Sequence, residues 1–200
     1  MPDPIEFYFD FSSPYGYLAA ETIDSLGERT GRRVDWRPIL LGAVFKETRG
    51  EPLLNIPMKG DYARHDLERS ARLIGVPFVI PGSFPFMSVA AARAYYWMLD
   101  RDRAKAVDLA KTLFREAFGQ GRDIDSAAAV TAVCARAGVD AEEVAAALTD
   151  PTVKQRVREE VDGAIAKGVF GSPLIIVDGE TFWGHDRLDQ AALWLERGGW

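Results

Sequence analysis

Three short stretches combine hydroxyl, imidazole and carboxylate groups with backbone able to receive an anion. They are Ser12-Ser13-Pro14-Tyr15-Gly16, Ser172-Pro173 and Trp183-Gly184-His185-Asp186. In the first, a run of β-formers from Ile5 to Phe9 gives way to a helical pattern that begins at Pro14. A serine followed by proline starts helices well, with Ser13 as N-cap and Pro14 at the first helical position. A second reading rests on the same atoms. The unpaired N–H groups and partial positive charge of a helix N-terminus hold anions, and a hydroxyl there adds a donor. Such a site can hold a thiolate brought by a ligand. On the dipeptide alone, capping and anion binding both stand.

What the chain lacks narrows the chemistry. Cys134 is the only cysteine, so there is no intrachain disulfide, Cys-x-x-Cys pair or thiolate metal cluster. It lies on an apolar helical face and reads as an inert buried thiol. With only His65 and His185 besides, no metal site is expected. The 24 Lys+Arg against 30 Asp+Glu give a net charge of -6, which argues against a nucleic-acid binder. A small anionic ligand remains compatible with that balance, since a pocket can gather a few cations locally. No apolar run approaches the ~20 residues of a membrane span, and "MPDPIEFYFDF" lacks the pattern of a secretory signal. The expectation is a soluble, cytoplasmic protein.

The elements that must position these stretches follow from periodicity and punctuation. Strands are expected at Ile5 to Phe9, Val34 to Arg37, Leu174 to Val177 and Thr181 to Trp183, the last two joined by an Asp178-Gly179 hairpin turn. A helix is expected from Pro14 to about Gly31, and others over 61–74, 87–99, 104–118, 126–137, 141–148, 151–168 and 186–196. KAVDLAKTLFREAF carries the best amphipathic signal, with apolar positions 106, 110, 113, 114 and 117 on one face. "LLGAVFKETRGEPLLNIPMKG" shows little periodicity and reads as a long irregular loop. Setting the middle helices aside leaves β-α-β-α-β-β-α, the order of a thioredoxin-like core. The fold class is therefore α/β, one unit with core 1–45 and 150–200 and a large all-helical insertion at about 46–149. That insertion is expected to cover the Ser13 end of the core and close a pocket there.

In this fold the first helix aims its N-terminus at the active site, where redox members carry Cys-x-x-Cys. Ser13-Pro14-Tyr15-Gly16 occupies the matching place, so disulfide exchange by the protein's own thiols is excluded. The fold also holds a cis-proline before its third strand. Ser172-Pro173 is expected to be cis, with Ser172 offering its backbone to an extended peptide.

"FYFDFSSPYGYLA" resembles the N-terminal motif of the 2-hydroxychromene-2-carboxylate isomerases and of the related kappa-class glutathione transferases. The resemblance continues in "RPILLGAVFKETRG", "NIPMKGDYARHDLERSARLIGVPF" and "VFGSPLIIVDGETFWGHDRLDQ". It implies a DsbA-type helical insertion, a homodimer, and glutathione as cofactor. It also implies that Ser13, immediately before proline, is the catalytic serine and a glutathione ligand. Trp183, Gly184, His185 and Asp186 join Ser172 and Pro173 around glutathione, and Asn55 approaches the substrate. Asp186 can accept from the ligand's ammonium or simply cap the last helix, and both can hold. His185 reads as a polar wall residue, with general base as the alternative. Lys46, Lys59 and Arg64 are candidates for a substrate carboxylate, against a reading as solvated surface charges. Phe45, Phe84 and Phe86 suit an aromatic wall, or plain core packing. The reaction implied is a cis–trans isomerisation of an aromatic 2-oxo acid by reversible thiolate addition. A kappa-type transferase and a non-catalytic peptide-binding module are the alternatives.

Overall fold

β1 (Ile5–Phe9) is buried on both faces because its side chains alternate between two apolar clusters. Ile5, Phe7 and Phe9 point into the main core, while Tyr8 faces a smaller cluster of Ile39, Val44, Ala164, Val169 and Leu174. The computed structural model describes residues 2–200. β2 (Val34–Pro38) pairs parallel to β1, with Ile5 opposite Val34, after the crossover helix α1 (Pro14–Thr30). β3 (Leu174–Val177) pairs antiparallel to the other side of β1, and β4 (Glu180–Trp183) antiparallel to β3. The sheet order is β2-β1-β3-β4, with Asp178-Gly179 making the expected hairpin turn.

The stretch expected as an irregular loop is not one. It contains α2 (Leu41–Thr48) and a 3-10 turn at Leu53–Asn55, and α3 (Lys59–Ile74) starts two residues earlier than expected. Eight residues make barely two turns, too few for a periodic signal. The N-terminus of α2 has no side-chain cap of its own, and Arg49 ends it in the left-handed region, where glycine is the usual signal. The division expected between residues 45 and 46 falls inside this helix. Val44 of α2 is buried in the cluster that holds Tyr8 of β1.

The helical insertion is anchored by aromatic residues. α4 (Val89–Leu99) packs on α5 (Arg103–Phe114), α6 (Ala127–Arg136), α7 (Ala141–Thr149) and α8 (Pro151–Ala166). The hydroxyls of Tyr95 and Tyr96 donate to the carbonyls of Trp36 (2.8 Å) and Pro38 (2.9 Å), satisfying acceptors of the edge strand β2. Phe114 of α5 reaches Phe9 and Phe11, at centroid distances of 5.4 and 5.1 Å. The five apolar positions expected from Ala106 to Ala117 are all buried, although the helix passes into a π turn at Arg115–Gly119. Asp150 caps α8 with Pro151 at its first position, as expected. α9 (Leu188–Arg197) begins after a 3-10 turn at His185–Arg187. Among the described residues, no helix is long and apolar enough to cross a membrane.

Candidate active site

Ser13 is the N-cap of α1, in extended conformation, and its Oγ accepts from the Gly16 N–H at 3.0 Å. The same hydroxyl donates to the Ser172 carbonyl at 3.1 Å. The capping reading is therefore correct as far as it goes, and the hydroxyl also bridges two chain segments 159 residues apart. Ser172–Pro173 is cis, as expected, and the Ser172 Oγ accepts from the Asp10 N–H at 2.9 Å. Ser172 is the residue expected to offer its backbone to a peptide. Its carbonyl is already engaged by Ser13.

Gly16 permits the close approach. A Cβ there would lie 3.0 Å from the Ser172 Oγ, 3.1 Å from the Ser13 Cβ and 3.3 Å from the Asp10 carbonyl. The end of β4 closes the other side, where the Gly184 N–H donates to the Pro173 carbonyl at 3.0 Å. Gly184 has φ 117, a region that side chains rarely adopt, and so turns the chain into His185–Arg187. Trp183 lies across Gly171, where a Cβ would come within 2.5 Å of its Nε1.

Asp10, Tyr15 and Asp66 have no role in the motif reading. Asp10 is buried and ties the Ser12 turn to α2, with Ser88 of α4 close by. Its signal in the sequence is an acidic residue inside an otherwise apolar strand end, which demands buried donors. The Tyr15 hydroxyl donates to Asp66 of α3 at 2.9 Å, and its ring stacks on His185 at 5.2 Å. Burial, reinforced by Asp66, pushes the Tyr15 phenol well above its usual pKa, so it stays a donor. A pairing between positions 15 and 66 has no local signature.

The description "DSBA-like thioredoxin domain" matches residues 4–196 of the chain. The chain belongs to this family. It is 31% identical over 191 residues to the 2-hydroxychromene-2-carboxylate isomerase of Sphingobium xenophagum, covering 94% of this chain and 96% of the relative. It is also 31% identical over 204 residues to glutathione S-transferase kappa 2 of Caenorhabditis elegans, covering 96% and 91%. A solved 2-hydroxychromene-2-carboxylate isomerase superposes with a TM-score of 0.88 at 28% identity, covering 98% of this chain and 95% of the other.

The substrate residues expected for this DSBA-like chain fall into two groups. Phe84 and Phe86 pack around Phe118, at centroid distances of 6.5 and 6.1 Å, which is the core-packing reading. Phe84 is only partly buried there. Phe45 and Lys46 on α2, Asn55 in the 3-10 turn and Lys59 at the start of α3 lie on the segment strung between two anchors, Leu41 at Asp10 and Asp66 at Tyr15. Phe45 is half-buried, and the other three are exposed, as is Arg64. Lys46, Lys59 and Arg64 have no ion-pair partner among the described residues. Ser13 is only 5% exposed, beside its own turn and Ser172. One concavity of about 300 Å³ lies between β4 and α9 with Trp183 and Arg187 in its wall, and another of about 190 Å³ between Arg37 and Lys167.

Asp186 does not cap α9, whose N-cap is Arg187. Its side chain is exposed and pairs with Arg187 at 3.1 Å. His185 stacks on Tyr15. Burial holds its imidazole below the ordinary pKa, although the Asp186 and Asp66 carboxylates pull it upward. A buried neutral histidine contributes stability that is complete above the unfolded value of about 6.5 and falls as the unfolded chain takes up a proton below it. His185→Phe keeps a stacking ring that cannot charge. Its melting temperature is expected to drop less than that of the unsubstituted protein between about pH 7 and about pH 5.5. Equal drops would assign the acid response to other groups.

Proposed function

We propose that the protein is a glutathione-dependent isomerase that interconverts 2-hydroxychromene-2-carboxylate, or a close analogue, with the trans-benzylidenepyruvate form. The observation that carries this reading is the Ser13 hydroxyl at the N-terminus of α1, joined to Ser172 in a chain with no second cysteine. Full-length similarity to curated isomerases supports it. The donor set suits a tripeptide thiol. The N-terminus of α1 and the Ser13 hydroxyl favour a thiolate. Asp186, exposed beside the turn at Gly184, would accept from the ligand's ammonium, and the first N–H groups of the His185–Arg187 turn would donate to its carboxylate.

Glutathione, when bound, supplies a thiolate that adds to an alkene conjugated with a carbonyl and leaves again after rotation about the resulting single bond. The protein's part is to stabilise, orient and shield. A free thiol titrates near ~8.5, so little is ionised at neutral pH without such help. On binding, the Ser13 hydroxyl turns its single proton from the Ser172 carbonyl toward the sulfur, which frees that carbonyl for the peptide. Asp186 and the Gly184 turn hold the γ-glutamyl end. Lys46, Lys59 or Arg64 meets the 2-oxo-carboxylate, with Asn55 and Phe45 beside it. Cytoplasmic location and assembly as a homodimer belong to the same reading.

A second reading, a kappa-like glutathione transferase, draws on the equally similar kappa relative. The two differ in stoichiometry. An isomerase turns over many substrate molecules with no loss of free thiol, whereas a transferase consumes one glutathione per product. Loss of thiol in step with turnover would replace the first reading by the second. Asp186→Ala is expected to raise the KM for glutathione several-fold and leave kcat nearly unchanged, because it removes binding made equally in ground and transition states. An unchanged KM would take Asp186 out of the glutathione site.

A further inference from the structure

One buried carboxylate sits where three helices begin. Asp10 is 2% exposed and stands between the buried rings of Phe9 and Phe11. Its Oδ1 accepts from the Ser12 N–H at 2.7 Å and the Ser12 hydroxyl at 2.9 Å. Its Oδ2 accepts from the Leu41 N–H at 2.6 Å, and the nearby Ser88 hydroxyl favours the charged carboxylate. Leu41 opens α2 and Ser88 is the N-cap of α4, and neither helix has a side-chain cap of its own. The backbone of Asp10 holds both serines of the site. Its N–H donates to the Ser172 Oγ, and its carbonyl accepts from the Ser13 N–H at 2.9 Å.

Three hydrogen bonds, with the Ser88 hydroxyl beside them, suit the roughly four lone-pair sites of an ionised carboxylate, which only accepts. An amide of the same shape has one acceptor oxygen and would turn its NH₂ toward at least one of these donors. Burial pushes the Asp10 carboxyl above the usual carboxylate range, while Ser88, Leu41 and Ser12 oppose that shift. No charged side chain is needed to satisfy it. A staple needed only for stability would work from any place in the core. This one is built into the residue that positions Ser13 and Ser172.

We infer that Asp10 is a positioning residue of the active site, its carboxylate fixing the Ser13–Ser172 pair against α2 and α4. This rests on the glutathione-dependent reading above. It implies that the carboxylate acts on reaction geometry through Ser13, without touching substrate. Misplacement by a fraction of an ångström at a reacting centre is enough to slow it on the order of tenfold or more.

The test is steady-state kinetics with glutathione and a benzylidenepyruvate, beside thermal unfolding, for the unsubstituted protein, Asp10→Asn and Ser88→Ala. Ser88→Ala removes a hydroxyl that favours the charged carboxylate, leaves the Ser13 motif untouched and costs α4 no cap bond, so it should fold even where Asp10→Asn does not. The expected result is a fall in kcat of about tenfold for Asp10→Asn and several-fold for Ser88→Ala, with the KM for glutathione changed less than about threefold in both. Lower melting temperatures with unsubstituted kcat in the folded fraction would overturn the inference and make Asp10 a stability staple only. If the unsubstituted protein neither binds glutathione nor turns over, the functional reading fails, and the positioning role falls with it.

Discussion

Replacing Ser13 with alanine should reduce glutathione-dependent turnover on the order of 10²- to 10³-fold, the usual cost of removing one donor from a developing or stabilised anion. Stability should fall far less. The substitution removes the acceptor of the Gly16 N–H, an N-cap loss worth about 0.5–2 kcal/mol, and leaves the Ser172 carbonyl without its donor. The N-terminal N–H groups of α1 remain, so the anion site is weakened and not abolished. Ser12→Ala is the control, because the Ser12 hydroxyl is turned inward to the Asp10 carboxylate, which keeps the Ser12 N–H as a donor. It should change turnover by no more than a few-fold. Turnover of a benzylidenepyruvate and thermal unfolding of both variants provide the check. An effect of Ser12→Ala as large as that of Ser13→Ala would mean that the acting hydroxyl has been misassigned. If neither matters, Ser13 is a helix cap and nothing more.

Gly16→Ala separates stability from function in a different way. Alanine is the better helix former by about 0.8–1.0 kcal/mol in a helix interior, which favours the variant. Against this, the new Cβ meets three neighbours at 3.0–3.3 Å, one of them the Asp10 backbone carbonyl. The crowding must be relieved by moving Ser13 and Ser172 apart by tenths of an ångström, since interiors have little slack. These gains and losses nearly cancel in the melting temperature. Turnover should nevertheless fall on the order of tenfold to a hundredfold, because the displaced atoms belong to the site. A variant with unsubstituted kcat would show that the closeness of Ser13 to Ser172 has no catalytic consequence.

Local signals in the chain were reliable guides. Ser13-Pro14, Asp150-Pro151 and Asp178-Gly179 each act through neighbours within a few residues, so their structures follow from short-range chemistry. The long helices declared themselves because one apolar face must repeat to be buried. α2 did not, since it is short and capped from Asp10, 31 residues away. For the same reason the partners of Asp10 and the Tyr15–Asp66 bond are invisible in sequence: each joins segments that meet only once the sheet and insertion have formed. Phe84 shows the converse limit: an aromatic residue in a loop suits a substrate wall or a core equally well, and its packing on Phe118 serves either. Asp186 shows that the capping alternative fails while its place in the turn stands. It pairs with Arg187 and leaves α9 without a side-chain cap.

The most direct measurement is a titration of thiolate absorbance for glutathione bound to the protein, with Ser13→Ala beside it. A thiolate held by α1 and Ser13 has an apparent pKa below the ~8.5 of a free thiol, each unit of lowering being worth ~1.36 kcal/mol. The account predicts a pKa displaced downward in the unsubstituted protein and returned part of the way toward the free value in Ser13→Ala, where the helix terminus still acts. A bound thiol that titrates like free glutathione, or a lowered pKa identical in both proteins, would contradict it.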